Sequence, residues 1–325
     1  MAKKRVFITR SILDDGPNLL RSKGYEVDIS LKEGPLTYEE LKNFAPNYDA
    51  LITMLSDQID EEFLNYNKHL KVISNYAVGF NNINITKAAE LNISIGNTSD
   101  VLTEATAELA LGLMISASRQ FHTASSAVAN GRWKNWHPTE HLGYQLRGKN
   151  LGIIGFGRIG LRLAEMAHLA FKMNILYTSQ TEKPNHINAI KVTQDDLLKN
   201  SDFISIHLPL TSETKNILST NQFSIMRKNA VLVNTSRGEV IDQTALIDAL
   251  KSKRIFAAGL DVMTPEPLPI SSELNSLDNI FILPHIGSAT YEARKEMSLL
   301  AAKNIIAGLE GHPLPSAVNT IDKTN

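Results

Sequence analysis

The sequence predicts an α/β fold built as two doubly wound parallel-sheet domains with a cleft between them. Three observations predict it. A chain of 325 residues exceeds one typical core. Short apolar runs alternate with helix-period segments along most of its length. A glycine-rich turn, Gly155-x-Gly157-x-x-Gly160, stands between one such run and a helical pattern.

In chain order, Arg5 to Thr9 reads as a strand, Ser11 to Lys23 as a poor helix interrupted by Gly16-Pro17, and Glu26 to Ser30 as a strand. Thr37-x-x-Glu40 is a capping box that opens a short helix. Asp49 to Met54 reads as a strand, Asp60 to Asn67 as a helix and Lys71 to Ser74 as a strand. The polar stretch Gly96 to Asp100 reads as a linker. A long helix then carries Leu102, Leu109, Ala110, Leu113, Met114 and Ala117 on one face. Gly131-Arg-Trp-Lys-Asn-Trp136 holds both tryptophans, and from composition it reads as a hydrophobic anchor onto its own domain.

Leu151 to Ile154 is the apolar run before the glycines. Ile159, Leu163, Met166, Ala167, Ala170 and Phe171 follow at helical spacing, and Ile175-Leu-Tyr177 is the next apolar run. Strand, glycine turn, helix and strand is the context of a dinucleotide site. Gly155 suits the tight turn, Gly157 the approach of a pyrophosphate, and Gly160 close packing of helix on strand. The helix N-terminus offers free N–H groups to the phosphates. Strands at Phe203 to Ile206, Ala230 to Asn234, Ala257 to Leu260 and Ile280 to Leu283 continue the sheet. Helices at Gln194–Lys199, Asn221–Met226 and Asp242–Lys251 separate them. A second long helix runs from about Thr290 to Leu309, with Met297, Ala301, Ile305 and Leu309 in line. The polar tail from 312 to 325 returns to the first domain. Residues 1–100 with 286–325 therefore form one discontinuous domain and 101–285 the other, with the two long helices as hinges.

Composition narrows the function. Net charge is −1, which marks neither a nucleic-acid partner nor a membrane surface. Cysteine is absent, which excludes disulfides, thiolate metal sites and cysteine nucleophiles. The basic start is too weakly apolar for a signal peptide, so a soluble, cytoplasmic protein is expected. No Gly-x-Ser-x-Gly elbow supports a hydrolase, and no histidine pair has metal-ligand spacing in a helix.

Three residues with chemistry stand just past strand ends, where ligands bind in parallel sheets: Arg237, Glu266 and His285. An arginine fork suits a carboxylate, and a histidine with a carboxylate partner suits proton transfer near neutral pH. His207 has the same strand-end placement, so the pattern alone leaves His207 and His285 open. The loops Met54-Leu-Ser-Asp57 and Asn75 to Asn82 follow strands of the first domain.

The segments Gly155–Gly160, Val233–Gly238, Gly259–Pro267 and Pro284–Ser288 together resemble the D-isomer-specific 2-hydroxyacid dehydrogenase family, in its order and spacing. Asn75–Asn82 and Gly131-Arg-Trp-x-x-Trp136 are most similar to its glyoxylate/hydroxypyruvate reductases. The resemblance implies a Rossmann nucleotide-binding domain and a smaller flavodoxin-like substrate domain. It implies that Arg237 pairs with the substrate carboxylate and polarises the carbonyl, that His285 gives the proton, and that Glu266 orients His285. It implies substrate contacts from Val78, Gly79 and Leu55, and from Trp136 reaching the partner subunit of a homodimer, which reverses the anchor reading. It implies cofactor contacts at Thr106, Gly155, Gly157, Arg158, Ile159, Gly160, Thr178, Ser179, Gln180, His207, Pro209, Thr214, Thr235, Asp261 and Gly287.

The expected reaction is NAD(P)H-dependent reduction of a small 2-oxo acid, glyoxylate or hydroxypyruvate, to the D-2-hydroxy acid. The alternatives are a relative acting on a bulkier 2-oxo acid and a non-catalytic nucleotide sensor. NAD enzymes place an acid at the tip of the second strand, but Tyr177-Thr-Ser-Gln-Thr-Glu-Lys183 has none before Glu182. Thr178 and Ser179 could receive a 2′-phosphate, with charge from Arg158 and Lys183, so NADP(H) is expected over NAD(H).

Overall fold

In the computed structural model, which describes residues 3–183 and 186–320, two separate parallel sheets organise the chain. The chain divides into two units, Met1–Leu102 with Ser288–Asn325, and Thr103–Gly287.

The first unit contains β1 (Arg5–Ile8), α1 (Asp15–Ser22), β2 (Glu26–Ile29), α2 (Tyr38–Phe44), β3 (Ala50–Thr53), α3 (Glu61–Tyr66), β4 (Val72–Asn75), α4 (Ile85–Glu90) and β5 (Ser94–Gly96). Its sheet runs β2-β1-β3-β4-β5, and every pair is parallel. The inner strands β3 and β4 are buried throughout, as a sheet covered on both faces requires. The edge strand β2 is polar and partly exposed, which blunts an open edge. The capping box at Thr37 and Glu40 forms as its spacing predicts.

The second unit contains α5 (Thr103–Ser118), α6 (Phe121–Ala129), β6 (Asn150–Ile154), α7 (Arg158–Phe171), β7 (Asn174–Thr178), β8 (Ile190–Lys191), α8 (Gln194–Asn200), β9 (Phe203–Ile206), α9 (Thr220–Ile225), β10 (Val231–Asn234), α10 (Gln243–Lys251), β11 (Ala257–Leu260) and β12 (Ile280–Ile282). All its strands are parallel in the order β12-β11-β10-β9-β6-β7-β8. The order reverses between β6 and β9, so the loops after these two strands stand at the switch point where such sheets take ligands. One apolar cluster, including Leu197, Ile206, Leu232 and Leu246, covers one sheet face. Another, including Leu113, Leu151, Leu163 and Val233, covers the other. Among the described residues no helix is long and apolar enough to cross a membrane.

The long helix α11 (Tyr291–Glu310) belongs to the first unit, with Met297, Ala301, Ile305 and Leu309 buried as their spacing predicts. Beyond it, Val318 N donates to Ile95 O at 2.8 Å, which ties the tail to β5. Residues 321–325 of the expected tail, and Met1 and Ala2 of the basic start, lie outside the described residues.

Several sequence expectations need correction. Gly16-Pro17 does not interrupt the first helix. The helix begins at Asp15, so proline sits in the first turn, where its missing N–H costs nothing. Gly16 is required because a Cβ there would lie 2.2 Å from Ser298 O of α11. The stretch from Gly96 to Asp100 is not a plain linker, since Gly96 ends β5 and Asn97 and Thr98 are buried. Leu102 is buried but precedes α5. The segments α4, β5, α6 and β8 are too short or too polar to show a period. The tryptophan loop is no anchor onto its own unit, because Trp133 is 61% and Trp136 79% exposed.

A Cβ on Gly308 would stand 2.5 Å from Val72 Cβ, where α11 crosses β4. Gly308→Ala gains about 1 kcal/mol of helix propensity. The overlap costs about 1–3 kcal/mol. The overlap wins, and the thermal midpoint of Gly308→Ala falls below that of the native chain in a melting scan.

Candidate active site

The glycine turn has the shape that a pyrophosphate needs. Gly155 takes φ +96°, and a Cβ there would meet His207 O at 2.7 Å, so only glycine fits between β6 and the loop after β9. A Cβ on Gly160 would meet Gly155 O at 2.5 Å, which is the close helix–strand contact. Gly157 opens onto free space, with nothing within 4 Å of a built Cβ. Gly157 caps α7 without a side-chain hydrogen bond, so the positive end of the helix faces the space that Gly157 leaves open. The Phe156 ring stacks on Tyr177 at 4.0 Å between centroids, which pins the turn to β7. The next turn at this end supplies a further fit: Thr235 Oγ1 is buried without a hydrogen-bond partner among the described residues. These features match the phosphates and polar edge of a dinucleotide.

At the end of β7, Thr178 and Ser179 are half-buried and Gln180 is exposed. Lys191 on β8 reaches back, with Nζ 3.4 Å from Gln180 O, and the Lys183 amide donates to the Tyr177 hydroxyl at 3.2 Å. Lys191 was missed by sequence reasoning, because β8 is too short to be seen as the neighbouring strand.

The loop after β9 carries His207, Pro209 and Thr214. The His207 amide donates to Ile154 O at 2.8 Å, and its Nε2 lies 2.9 Å from Ser205 Oγ. Desolvation pushes His207 down to about 4, so it is neutral at pH 7. Thr214 Oγ1 donates to Pro209 O at 2.7 Å and closes the loop.

The other histidine differs in its partner. His285 Nδ1 donates to Glu266 Oε2 at 2.8 Å, while Glu266 Oε1 accepts the Met263 amide at 3.0 Å. His285 Nε2 has no hydrogen-bond partner among the described residues. Burial raises the Glu266 carboxyl, but the hydrogen bond and charge of His285, the Met263 amide and Arg237 together outweigh it and hold it below its usual range. The two histidines left open by the sequence thus differ in partner: His285 meets the Glu266 carboxylate and His207 the Ser205 hydroxyl. Glu266 stands between two prolines, and the Thr264-Pro265 and Glu266-Pro267 peptides are cis. Gln243 grips that loop twice, donating to Thr264 O at 2.6 Å and accepting its amide at 2.9 Å.

Asp261 holds the histidine segment. Its carboxylate accepts the amides of Ile286 and Gly287, each at 2.7 Å, and its carbonyl accepts that of His285 at 2.9 Å. Gly287 O in turn accepts Thr106 Oγ1 at 3.1 Å. Burial raises the Asp261 carboxyl, against those two amides and the charge of His285.

Arg237 follows β10. Asn234, fully buried, accepts Ser236 N at 3.0 Å and donates to Arg237 O at 2.8 Å, which sets the turn. A Cβ on Gly238 would stand 2.2 Å from Met263 O, so this loop and the Glu266 loop are pressed together. Burial lowers Arg237 from the usual arginine value, opposed by the charges of Glu266 and Glu239. The second unit thus brings Arg237, Glu266, Asp261 and His285 into one electrostatic cluster. Asn234 and Gln243 were missed; a strand run ending in asparagine, as in Val233-Asn234, was the available signal.

In the first unit the loops after β3 and β4 are knitted together. Asn82 Nδ2 donates to Met54 O at 3.1 Å and Asp57 O at 2.8 Å, beside Leu55. The Asp57 carboxylate, raised by burial, accepts Met54 N at 2.8 Å and Thr9 Oγ1 at 2.5 Å. Val78 and Gly79 are half-buried, and among the described residues their amides carry no hydrogen bond within the chain. Trp136 lies on the surface of the second unit.

Comparison with known proteins shows the family of the chain. Residues 111–287 match the model of the D-isomer specific 2-hydroxyacid dehydrogenase, NAD binding domain. A glyoxylate reductase of Thermococcus litoralis is 45% identical over 324 residues, covering 98% of this chain and 97% of that protein. The crystal structure of TT0316 protein from Thermus thermophilus superposes with a TM-score of 0.92 at 39% identity, covering 97% of this chain and 99% of that one. A glyoxylate reductase from Paecilomyes thermophila gives 0.87 at 32% identity, covering 98% and 99%. The chain belongs to the D-isomer-specific 2-hydroxyacid dehydrogenase family and is an NAD(P)-dependent oxidoreductase that acts on the 2-oxo/2-hydroxy acid couple.

Proposed function

We propose that the protein reduces glyoxylate and hydroxypyruvate to the D-2-hydroxy acid, with NADP(H) favoured over NAD(H). The observation that carries the chemistry is the 2.8 Å hydrogen bond between His285 Nδ1 and Glu266 Oε2. It leaves Nε2 as the atom that gives up a proton, with the ring held from behind by the carboxylate. In this reading the second unit binds the dinucleotide and the first binds the substrate. Bound nicotinamide supplies the hydride. The glycine turn at Gly155, Gly157 and Gly160 and the amides of Arg158 and Ile159 hold the pyrophosphate. His207, Pro209, Thr214 and Thr235 line the same strand ends. Thr106, Asp261 and Gly287 hold the cofactor's polar end beside His285. Arg237 pairs with the substrate carboxylate and polarises the carbonyl. Val78 and Gly79 donate their amides to the carboxylate, with Leu55 beside them. His285 protonates the carbonyl oxygen. Similarity to glyoxylate reductases over nearly the whole chain supports the small substrate.

The cofactor preference follows from the end of β7. Thr178, Ser179 and Gln180 present no carboxylate to a 2′-phosphate, and Lys191 stands beside Gln180. Trp136 fits a role in a partner subunit's site because it is exposed on its own unit. A homodimer in the cytoplasm completes the reading.

The first test is loss of reduced-nicotinamide absorbance with NADPH or NADH against glyoxylate, hydroxypyruvate, pyruvate and a branched 2-oxo acid. Turnover of bulkier acids alone moves the substrate assignment, and cofactor binding without turnover removes the catalytic one. His285→Ala lowers kcat by roughly 10²–10⁴-fold with little change in cofactor binding. Glu266→Gln keeps the size of the side chain and removes the carboxylate that orients His285, so kcat falls with little change in cofactor binding; an unchanged kcat, with chemistry limiting, counts against the dyad. Gln180→Asp places an acid where a 2′-phosphate would lie, and the NADPH-to-NADH ratio of kcat/KM drops. Trp136→Ala raises KM for glyoxylate in a dimer, whereas a monomer by gel filtration at assay concentration removes that role.

A further inference from the structure

The amides of Val78 and Gly79 are aimed from behind. The Ala77 carbonyl accepts the Thr98 amide at 2.8 Å, and the Val78 carbonyl accepts Asn97 Nδ2 at 2.8 Å. Both peptide bonds are trans, since the cis bonds among the described residues are those before Pro265 and Pro267. In a trans peptide the N–H points opposite to the C=O of the same plane. The Val78 N–H is therefore antiparallel to the Ala77 carbonyl, and the Gly79 N–H to the Val78 carbonyl. Both carbonyls face the 97–98 segment, so both N–H groups project from the side turned away from it. Neither donates within the chain among the described residues.

Asn97 can hold this arrangement because its own side chain is held. Its Oδ1 accepts Ser316 Oγ at 2.6 Å, which fixes which end of the amide faces Val78. Its backbone amide donates to Ser316 O at 3.0 Å. Asn304 of α11 locks both partners: its Nδ2 donates to Asn97 O at 2.9 Å, and its Oδ1 accepts Ser316 N at 3.1 Å. Asn97 and Asn304 are buried, so these are bonds made out of water, and the orientation they impose is stiff. A Cβ on Gly96 would meet Asn304 Nδ2 at 2.7 Å, so the strand must end in glycine to admit this side chain.

We infer that Asn97, fixed by Ser316 from the C-terminal segment, is a positioning residue that aims the Val78 and Gly79 amides at the substrate carboxylate. The inference rests on the reading that these amides bind that carboxylate. It makes the return of the chain after α11 part of substrate recognition. Donors oriented in advance bind an anion without first reorganising, so the loss on removing Asn97 falls on the substrate and spares the cofactor.

The test uses the full-length enzyme. Asn97→Asp keeps the shape of the side chain and the acceptor for Ser316, and deletes the donor to Val78 O. Ser316→Ala keeps Asn97 and frees its amide to turn, while Ser316→Thr retains the hydroxyl. The expected result is a KM for glyoxylate raised about 10–100-fold in Asn97→Asp and less in Ser316→Ala, with Ser316→Thr near the native value. KM for the nicotinamide cofactor stays constant throughout. An unchanged glyoxylate KM, or an equal rise for the cofactor, overturns the inference. If Asn97→Asp fails to fold, the Ser316 pair carries the same comparison. A second readout is independent of turnover: in ¹⁵N-glycine-labelled enzyme, added oxamate shifts the Gly79 amide resonance, and Ser316→Ala needs more oxamate for the same shift. A native enzyme that turns over no 2-oxo acid but shows this shift keeps the aimed amides and loses the reductase. Turnover without any Gly79 shift keeps the reductase and overturns the inference.

Discussion

The buried carboxylate of Asp261 is the constraint on which the proposed catalytic cluster depends. Taking a carboxylate out of water is costly unless its lone pairs are satisfied. Here they are satisfied by consecutive backbone amides, Ile286 and Gly287, immediately after the histidine. The same residue's carbonyl takes the amide of His285. Three bonds from one residue hold a turn in which His285 has φ +56°, the left-handed region that side chains other than glycine avoid. That conformation costs on the order of 1–3 kcal/mol, and charge-assisted hydrogen bonds of the kind Asp261 accepts are strong enough to offset it. The direction of the imidazole, and hence its meeting with Glu266, follows from this clamp.

The cluster is also a balance of opposed charges. Glu266 is drawn below its usual range although burial alone would raise it, because His285, a backbone amide and Arg237 all favour its anion. Arg237 is drawn down by burial while Glu266 and Glu239 pull it back. Each group makes the burial of its neighbour tolerable. The loops carrying them are pressed together at Gly238, where a side chain would strike Met263 O. Packing and electrostatics are therefore one requirement at this point.

Asparagine does comparable work at the strand ends. Asn75 ends β4 and donates to Gly79 O and Asn82 Oδ1, and Asn234 ends β10 and sets the turn to Arg237. Asn97 follows β5 and holds Val78 O. A neutral amide gives and accepts in one plane, so it can cap a buried turn without bringing a charge. This polar framework is buried where apolar patterning would place nothing, and it shapes the loops that the proposed function uses.

The sequence by itself determined the fold class, because a parallel sheet covered on both faces writes itself as short apolar runs between helix-period segments. Val231–Asn234 and Ala257–Leu260 are buried throughout and were legible for that reason. It also determined the glycine turn and the strand-end placement of Arg237, Glu266 and His285, since these depend on spacing along the chain. Local pattern could not decide between His207 and His285. What distinguishes them is the carboxylate of Glu266, 19 residues away from His285, brought within hydrogen-bond reach by the pairing of β11 with β12. The stretch after Gly96 looked like a linker because its residues are polar, and only tertiary structure supplied the partners, Ser316 and Asn304, that allow them to be buried. Gly16-Pro17 looked like a break, and only the approach of Ser298 showed why the first turn of that helix needs glycine. Composition records what each residue prefers, but the satisfaction of a buried polar group is decided by residues far away in sequence.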